Sequence, residues 1–312
     1  MTTFCNGIDI GGANIKVYRG ENGKAEIHYF PMWLEWENLE GFLRDLKLRG
    51  KTGVVITAEL ADSFSSREEG IRYISSISER VFDEVFFIDL DGNPKKEIDI
   101  PLNFSASNWV ASVRFLSEKF KTFIFADMGS TTTDVIPVVE RKIMAGKTDY
   151  ERLKNKELLY FGMLRTPSFY LIPDNCSSEF FSITADAMRI LGIIDEKSYT
   201  CDTPDGRGKG VGECYQRLAR QFCSDREELG DDFLKEKAFE IKNEIVRRVS
   251  EVFEEKKRDY EIDVVVGCGI GETVLEESAE KSNLEFISLK KEYGEISDIF
   301  PAYAVAKLVE GL

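Results

Sequence analysis

Two stretches of the sequence place an aspartate at the end of an apolar strand and follow it with a short polar turn. In NGIDIGGANIKVYRG (residues 6–20), Asp9 precedes a glycine pair, and the chain then returns as a second apolar strand. In ADMGSTTTDVIP (residues 126–137), Asp127 precedes a turn of hydroxyl residues that a second aspartate closes. A purely structural hairpin more often uses a two-residue Asn-Gly or Asp-Gly turn. The recurrence predicts two corresponding strand–turn–strand units in a duplicated α/β fold.

Both turns have the chemistry of a phosphate site. Backbone N–H groups and hydroxyls donate hydrogen bonds to phosphate oxygens, and a carboxylate beside them suits a divalent cation. Turns rich in Ser and Thr also occur without any ligand, so the second turn taken alone leaves both interpretations open. Its repetition near the N-terminus favours the phosphate interpretation.

A third glycine-rich turn lies late in the chain. In DVVVGCGIGETVLEES (residues 263–278), a run of valines leads into Gly267, Gly269 and Gly271, and a helical pattern follows. Glycines at the end of a strand allow the backbone to approach a ligand closely. One such turn is a weak signal, but this turn placed after two acid-bearing turns is a stronger one.

Charge and length limit the classes of partner. The chain has 312 residues and a net charge of −15. That length suffices for two domains with cores, and the charge argues against nucleic acids and anionic membranes as partners. No apolar run approaches the ~18 residues of a membrane span, no C-x-x-C pair is present, and we expect no signal peptide. We therefore expect a cytoplasmic protein with reduced thiols and small-molecule substrates, and leave homo-oligomerisation open.

Apolar periodicity predicts strands that alternate with helices. The segment SASNWVASVRFLSEKF (residues 105–120) has helical spacing, with Ser105 or Ser107 as its cap. Strands begin each half of the chain and helices follow, which predicts a duplicated α/β domain with a cleft between the copies. The predicted strands are 4–10, 14–19, 52–57, 84–90, 122–126, 262–267 and 285–289, and the other predicted helices are 67–81, 232–257 and 301–311.

A set of motifs spread over nearly the whole chain resembles one protein family. The motifs are GIDIGGANIKV, SNWVAS, DMGSTTTDVIP, GMLRTP, EFFSITADAMRIL, YTCDTPDGRG and RLARQFCSD. Their arrangement resembles the superfamily of acetate kinases, sugar kinases, actin and the heat-shock chaperones. Within it, the turns are similar to those of the hydantoinase A/oxoprolinase branch, and the full set resembles the archaeal methanofuran-biosynthesis family.

This resemblance implies a fold, a domain division and an activity. The fold is α/β, with duplicated ribonuclease-H-like domains of the actin and sugar-kinase type around a central cleft. The first domain is residues 1–120, with the C-terminal helix 298–312 packing back on it, and the second is 121–297 with an insertion near 145–230. The implied activity joins a furan-methyl diphosphate to the phenol of γ-glutamyltyramine, so that an ether forms and diphosphate leaves.

The resemblance also implies site residues. Asp9 and Asp127 are expected to hold Mg²⁺ or Mn²⁺, and ATP is not required for this reaction. Lys16 departs from the broader branch, which tends to have an acid there; this departure argues against ATP-driven amide hydrolysis. If Lys16 faces the site it assists the leaving diphosphate, and if it faces solvent it is an ordinary strand lysine. The expected phosphate-binding residues are Gly11, Gly12, Asn14, Gly129, Ser130, Thr131, Thr132 and Thr133.

A phenol has a pKa near ~10, so a base is expected to assist its attack. The lone histidine, His28, lies beside aromatic residues and is more typical of a structural role. A carboxylate is preferred, with Asp186 as the catalytic candidate and Asp134, Asp202 and Asp205 as alternatives. Trp109 is expected in the core, and Trp33 with Trp36 in a lid or an oligomer contact. The expected substrate-binding residues are Asn108, Arg165, Asp202, Gly269 and Gly271.

Several alternatives stay open at this point. Arg165 either grips a carboxylate or phosphate or is a surface arginine before a turn proline. Arg217 and Arg220 lie three residues apart and are either anion ligands or a solvated helix edge. The same turns would also suit an ATP-dependent kinase or a hydantoinase-like amidohydrolase. A non-catalytic nucleotide-binding switch is the weakest alternative, since no segment resembles a peptide-binding domain or a filament insertion.

Overall fold

The computed structural model describes residues 4–312 as a mixed α/β protein with two sheets. The strands are β1 (Cys5–Gly11), β2 (Asn14–Arg19), β3 (Lys24–Tyr29), β4 (Lys51–Thr57), β5 (Glu84–Ile88), β6 (Pro94–Lys95), β7 (Phe123–Met128), β8 (Thr133–Val139), β9 (Lys142–Ile143), β10 (Leu158–Leu159), β11 (Val264–Cys268) and β12 (Glu285–Ser288).

Helices connect and cover these strands. They are α1 (Met32–Glu35), α2 (Leu39–Asp45), α3 (Arg67–Val81), α4 (Asn108–Leu116), α5 (Asp149–Lys154), α6 (Ser168–Leu171), α7 (Thr184–Ile190), α8 (Val211–Gln221), α9 (Arg226–Leu229), α10 (Asp231–Tyr260), α11 (Glu272–Lys281), α12 (Leu289–Tyr293) and α13 (Phe300–Glu310). Short 3₁₀ turns lie at Trp36–Asn38, Pro101–Phe104 and Gly294–Ile299.

The chain divides into two compact units. Unit 1 contains the chain up to Thr122, Val138–Lys154 and Leu289–Leu312, and unit 2 contains Phe123–Pro137 and Asn155–Ser288. The domain boundaries and the insertion expected from the sequence remain predictions.

The unit 1 sheet has the strand order β3-β2-β1-β4-β5-β6. β1 and β2 form an antiparallel hairpin in which Asp9 lies opposite Lys16, and β1 runs parallel to β4 with Gly11 opposite Thr57. The C-terminal helix α13 packs directly on β1, since a Cβ atom at Gly7 would lie 1.8 Å from the Ala302 carbonyl oxygen. This close approach requires glycine at position 7.

The unit 2 sheet has the order β10-β8-β7-β11-β12, and β9 pairs with β8. β7, β11 and β12 are parallel neighbours, so their carboxyl ends lie along one edge of the sheet. The long helix α10 packs against α7 and α11. Its apolar stripe is buried, as the spacing of its apolar residues requires.

The predicted mixed α/β fold is confirmed, with element ends shifted by a few residues. The strand expected at 122–126 is β7, and the helix expected at 232–257 is the longer α10. Ser107 does precede α4, but the prediction of a side-chain cap is wrong because its hydroxyl makes no capping hydrogen bond. The helices found between residues 4 and 312 are all too short or too polar to cross a membrane.

Candidate functional site

The carbonyl groups of the first turn, between β1 and β2, accept hydrogen bonds from the segment that follows β3. The Gly12 carbonyl accepts a hydrogen bond from the Met32 N–H at 2.8 Å, and the Ala13 carbonyl accepts one from the Phe30 N–H at 3.0 Å. Within residues 4–312, no group accepts a hydrogen bond from the N–H of Gly12 or Ala13. The turn therefore presents two peptide donors, which is the arrangement that binds an anion.

The second turn, between β7 and β8, is built in the same way. The Gly129 N–H donates to the Thr132 carbonyl at 3.0 Å, which closes a two-residue turn. The Gly129 and Ser130 carbonyls accept hydrogen bonds from the backbone N–H groups of residues 163–165, each at 3.0 Å. No described residue accepts from the N–H of Thr131 or Thr132. The carbonyl groups of this turn are therefore bonded to residues 163–165, while its peptide N–H groups can donate to an anion.

The support of the second turn is the GMLRTP segment. A Cβ atom at Gly162 would lie 2.7 Å from the Gly129 carbonyl oxygen and 2.8 Å from the Thr131 nitrogen. Only glycine allows these two backbones to pack so closely. The GMLRTP segment therefore supports the second turn directly, although it lies about thirty positions later in the sequence.

Asp9 and Lys16 lie on one face of the unit 1 sheet. They are cross-strand partners, and directly opposed residues of an antiparallel pair project to the same face. The Asp9 carboxylate is 3% exposed and accepts a hydrogen bond from the Thr57 hydroxyl at 2.9 Å. Burial raises the pKa of Asp298, and the positive charges of Lys290 and Lys16 oppose that shift. Lys16 therefore lies among carboxylates, on the Asp9 side of the sheet.

Asp127 lies at the carboxyl end of β7, beside the late glycine turn. Its side chain is buried, and Gly269 has a φ of +92° that L-residues rarely adopt. A Cβ atom at Gly269 would lie 2.5 Å from the Asp127 carboxylate oxygen, and the Gly271 N–H donates to the Met128 carbonyl at 3.0 Å. The structure thus brings Asp127, Gly269, Gly271 and the second turn together within unit 2.

The two hairpins differ in the residue opposite the aspartate. Counting outward from the bond that closes the second turn places Asp134 opposite Asp127 in the β7–β8 hairpin. Lys16 occupies the equivalent place in the β1–β2 hairpin. Unit 2 therefore pairs two acids where unit 1 pairs an acid with a lysine.

These carboxylates fit a hard cation that arrives with phosphate. Between residues 4 and 312, no three His, Cys, Asp or Glu side chains gather as a metal site. Mg²⁺ commonly keeps several waters and is held through one or two carboxylates together with substrate phosphates. Asp127 with Asp134 in unit 2, and Asp9 in unit 1, are buried acids beside turns with peptide donors. Each unit by itself therefore offers donors of the kind that Mg²⁺ or Mn²⁺ uses.

Asp186, the sequence-predicted base, lies in a fully buried ion pair. Its Oδ1 accepts hydrogen bonds from Arg217 Nε at 2.8 Å and from the Tyr199 hydroxyl at 3.1 Å. Arg217 also donates to Asp205 at 3.1 Å. Burial lowers the pKa of Arg217, but the hydrogen bonds of Asp186 outweigh this and raise it above its ordinary value. This network joins three of the sequence motifs in the interior of unit 2, where Arg217 and Tyr199 both donate to Asp186 Oδ1.

The other predicted ligands differ in their burial and in their contacts. The Thr133 side chain is fully buried and donates to the Phe161 carbonyl at 2.9 Å, so it supports the second turn from inside. Arg165 is half-buried; burial raises the pKa of Cys201 to about 11, and the charge of Arg165 opposes this. Asp202 is exposed, and Asn108 is the first residue of α4.

The aromatic and histidine predictions have clear placements in unit 1. Trp109 is buried, with the Arg152 guanidinium 4.8 Å from its ring centroid. Trp36 packs on Phe64 and Tyr73 in the core of unit 1, and Trp33 is half-buried. His28 lies on β3 at the sheet edge, with Nε2 3.2 Å from Glu26.

Sequence reasoning missed Glu59. It lies two residues beyond the end of β4, is 2% exposed and accepts a hydrogen bond from the Ser105 hydroxyl. Burial raises the pKa of its carboxyl to about 7. The available signal was an acid just after a buried parallel strand, because ligands bind at the carboxyl ends of such strands.

Comparison with known proteins places the chain in a family. Residues 49–311 match the hydantoinase/oxoprolinase family. A Methanocaldococcus jannaschii protein described as (4-{4-[2-(gamma-L-glutamylamino)ethyl]phenoxymethyl}furan-2-yl)methanamine synthase is 40% identical over 327 residues, covering 99% of this chain and 98% of that protein. A Methanococcus vannielii protein with the same description is 37% identical over 210 residues, covering 63% of this chain and 95% of that protein.

A solved structure shares the fold. The nucleotide-free structure of acetone carboxylase is 13% identical, with a TM-score of 0.52, and the match covers 91% of this chain and 50% of that one. At this identity the likeness concerns the fold alone. The family match extends over most of the chain, and the Methanocaldococcus protein is similar from end to end. This chain therefore belongs to the hydantoinase/oxoprolinase family.

Proposed function

We propose that this protein is a transferase that joins a furan-methyl diphosphate to the phenol oxygen of γ-glutamyltyramine and releases diphosphate. The observation that carries the proposal is the end-to-end similarity to the Methanocaldococcus synthase. The name of that protein describes a phenoxymethyl group, which is an ether between a phenol oxygen and a furan-bound methylene. One substrate must therefore supply the phenol, and the other an activated furan-methyl carbon.

The two turns support diphosphate as the leaving group. In the reaction, the bond between the furan-methyl carbon and the diphosphate oxygen breaks, and its electron pair leaves with diphosphate. Fixed N–H donors stabilise such developing charge because they need not reorganise during the reaction. Gly12 and Ala13 supply such donors in unit 1, and Thr131 and Thr132 supply them in unit 2. Lys16 adds a positive charge on the Asp9 side of its sheet.

The buried carboxylates are the proposed metal ligands. Asp9 in unit 1 and Asp127, with Asp134 opposite it, in unit 2 are the residues that would hold Mg²⁺ or Mn²⁺. When bound, the cation would neutralise negative charge on the diphosphate. ATP is not required, because the diphosphate ester already carries its leaving group.

The acceptor requires recognition of both its ends. The furan ring delocalises positive charge at the methyl carbon, so the phenol oxygen needs only to be held close and to lose its proton. Arg165, whose backbone N–H supports the second turn, has a guanidinium that suits the glutamyl carboxylate. Asn108, Asp202, Gly269 and Gly271 remain the other proposed substrate contacts.

We also propose a cytoplasmic location and an archaeal source. Both similar synthases come from archaeal genera, and the described cysteines are all free thiols. Reduced thiols are typical of proteins that act in the cytoplasm.

An isotope experiment tests the reaction. The protein is supplied with a furan-methyl diphosphate, γ-glutamyltyramine labelled with ¹⁸O at the phenol, and Mg²⁺, without ATP. We expect diphosphate and an ether that retains the label, weighed by mass spectrometry. Loss of the label would show attack by another oxygen. Product that forms only after ATP is added would favour the ATP-dependent alternative, for which the glycine turn beside Asp127 is the motivating feature.

A further inference from the structure

Glu59 lies at the edge of the unit 1 sheet where Asp9 and the first turn lie. β4 is the parallel neighbour of β1, and its last residue, Thr57, is opposite Gly11. The Thr57 hydroxyl donates to the Asp9 carboxylate at 2.9 Å. Glu59 follows Thr57 by two residues, so the chain places a second acid just beyond the strand that supports Asp9.

The Glu59 carboxylate is buried with half of its hydrogen-bonding capacity unused. Its side chain is 2% exposed, and Oε1 accepts from the Ser105 hydroxyl. Oε2 makes no hydrogen bond to any residue between 4 and 312, and no Lys or Arg in that range forms an ion pair with Glu59. A buried acceptor without a partner costs free energy. Its retention therefore calls for an explanation beyond packing.

Other buried polar atoms near Glu59 in the chain fold also lack a hydrogen-bond partner in the described chain. Ser105 bridges to β4 at Ile56, which places the start of α4 beside the end of β4. Two residues of this segment, Ser107 and Trp109, also have a buried polar atom without a partner in the described chain. The unused acceptor of Glu59 and these two donors belong to adjoining stretches of unit 1. Such a set suits a polar substrate group better than a dry core.

We propose that Glu59 is the catalytic base that removes the phenol proton during ether formation, with Oε2 as the receiving atom. This inference rests on the proposed transferase function. The phenol proton passes to Glu59 while the phenol oxygen bonds to the furan-methyl carbon. The bond from that carbon to the diphosphate oxygen breaks, and its electron pair leaves with diphosphate. Glu59 then returns its proton to solvent after product release.

The surroundings of Glu59 give its carboxyl a pKa that suits a catalytic base. Burial raises the pKa of its carboxyl to about 7, and the negative charge of Asp149 raises it further. The Ser105 hydroxyl, which donates to this carboxylate, and the nearby backbone of Glu59 and Ala106 lower the pKa without cancelling these effects. A base whose pKa lies near the working pH combines adequate strength with a substantial ionised fraction.

Glu59→Gln, compared on two acceptors, tests the assignment. One acceptor is γ-glutamyltyramine, and the other is its ring-nitrated analogue, whose phenol is already ionised at pH 8. We expect kcat to fall about 10²–10⁴-fold with the first acceptor and by less than about tenfold with the second, with the KM for the diphosphate ester unchanged. The matched control is Glu157→Gln, which alters a glutamate that is also buried but lies in unit 2. This variant should retain activity with both acceptors.

The wild-type enzyme provides a second measurement that does not depend on folding of the variant. Its kcat/KM with γ-glutamyltyramine should rise with pH through an apparent pKa near that of Glu59. Equal loss with both acceptors in a folded Glu59→Gln protein, or no loss with either, would overturn the role of Glu59. Failure of the wild-type protein to form ether with either acceptor would instead overturn the proposed function.

Discussion

Lys16 lies directly opposite Asp9 across the β1–β2 hairpin, on the same face of the sheet. The lysine therefore shares the face of the acid and not the opposite one, and its contact with a substrate stays a prediction. In the second hairpin, the equivalent place holds Asp134 opposite Asp127. The hairpins therefore share a backbone design but differ in charge, as expected if one favours an anion and the other a cation.

Lys16→Ala should weaken binding of the diphosphate ester more than binding of γ-glutamyltyramine. A hydrogen bond between charged groups contributes about 1–3 kcal/mol, which corresponds to roughly 5- to 150-fold in Kd. Calorimetric titration of each substrate measures the difference. Lys24→Ala, at an exposed site on β3, is the control and should bind both substrates normally. Equal weakening of both substrates in Lys16→Ala would show that the lysine does not contact diphosphate.

Asp127→Asn should abolish turnover while leaving the fold intact. The change preserves shape but removes the negative charge beside the second turn and Gly269. We expect the rate to fall by at least about 10³-fold and the dependence on Mg²⁺ to be lost, measured by diphosphate release at increasing Mg²⁺. Asp263→Asn, at an exposed aspartate in the same unit, is the control. A variant with normal rate and normal Mg²⁺ dependence would remove Asp127 from the site.

The sequence predicted the parts of the site that depend on local pattern. An acid at the end of an apolar strand, followed by glycines or hydroxyls, was sufficient to identify both hairpins and the glycine turn of residues 267–271. Period and length predicted α3 and α10, because a buried helical stripe leaves a clear spacing. These features are encoded within short segments.

What the sequence could not supply depends on contacts between distant segments. The support of the first turn by residues 30–32, and of the second by residues 163–165, appears only when the chain is folded. Asp186 looked like an available carboxylate because a sequence does not show that Arg217 will cover it. Glu59 was overlooked for the converse reason, since its burial without a basic partner is a property of the folded unit alone.

Gly162→Ala should disturb the second turn specifically. The added Cβ would lie under 3 Å from backbone atoms of Gly129, Ser130 and Thr131, none of which can rotate away. Overpacking of this kind typically costs about 1–3 kcal/mol of stability, and the displaced turn should raise the KM for the diphosphate ester. Gly41→Ala in α2 meets no atom within 4 Å and should be neutral or slightly stabilising. An unchanged KM in Gly162→Ala would show that the turn does not contact this substrate.

Asp186→Asn should act through stability and not through the chemical step. Removing the charge breaks the buried Asp186–Arg217 ion pair and leaves Asp205 as the remaining counterion of Arg217. Breaking a buried ion pair typically costs about 3–5 kcal/mol. We expect a much lower melting temperature, with kcat retained at temperatures where the variant is folded. Asp259→Asn, a half-exposed aspartate of α10, should change neither quantity. A lost rate at an unchanged melting temperature would restore Asp186 as a catalytic residue.

Glu59 should make the free energy of unfolding depend on pH, whatever its part in catalysis. Burial raises its pKa to about 7 in the folded protein, against 4.5 for a glutamate in water. The folded state therefore binds this proton more tightly, and its contribution to stability is full below pH 4.5 and is lost as the pH rises through 7. The loss amounts to about 2–4 kcal/mol for a shift of this size. Glu59→Gln cannot ionise. Urea unfolding should therefore show that the free energy of unfolding of the variant, relative to that of the wild type, rises by that amount between pH 5 and pH 8. Glu79→Gln, at an exposed position of α3, should show no such gain. If the difference between Glu59→Gln and the wild type were the same at both pH values, Glu59 would not carry a raised pKa in the folded protein.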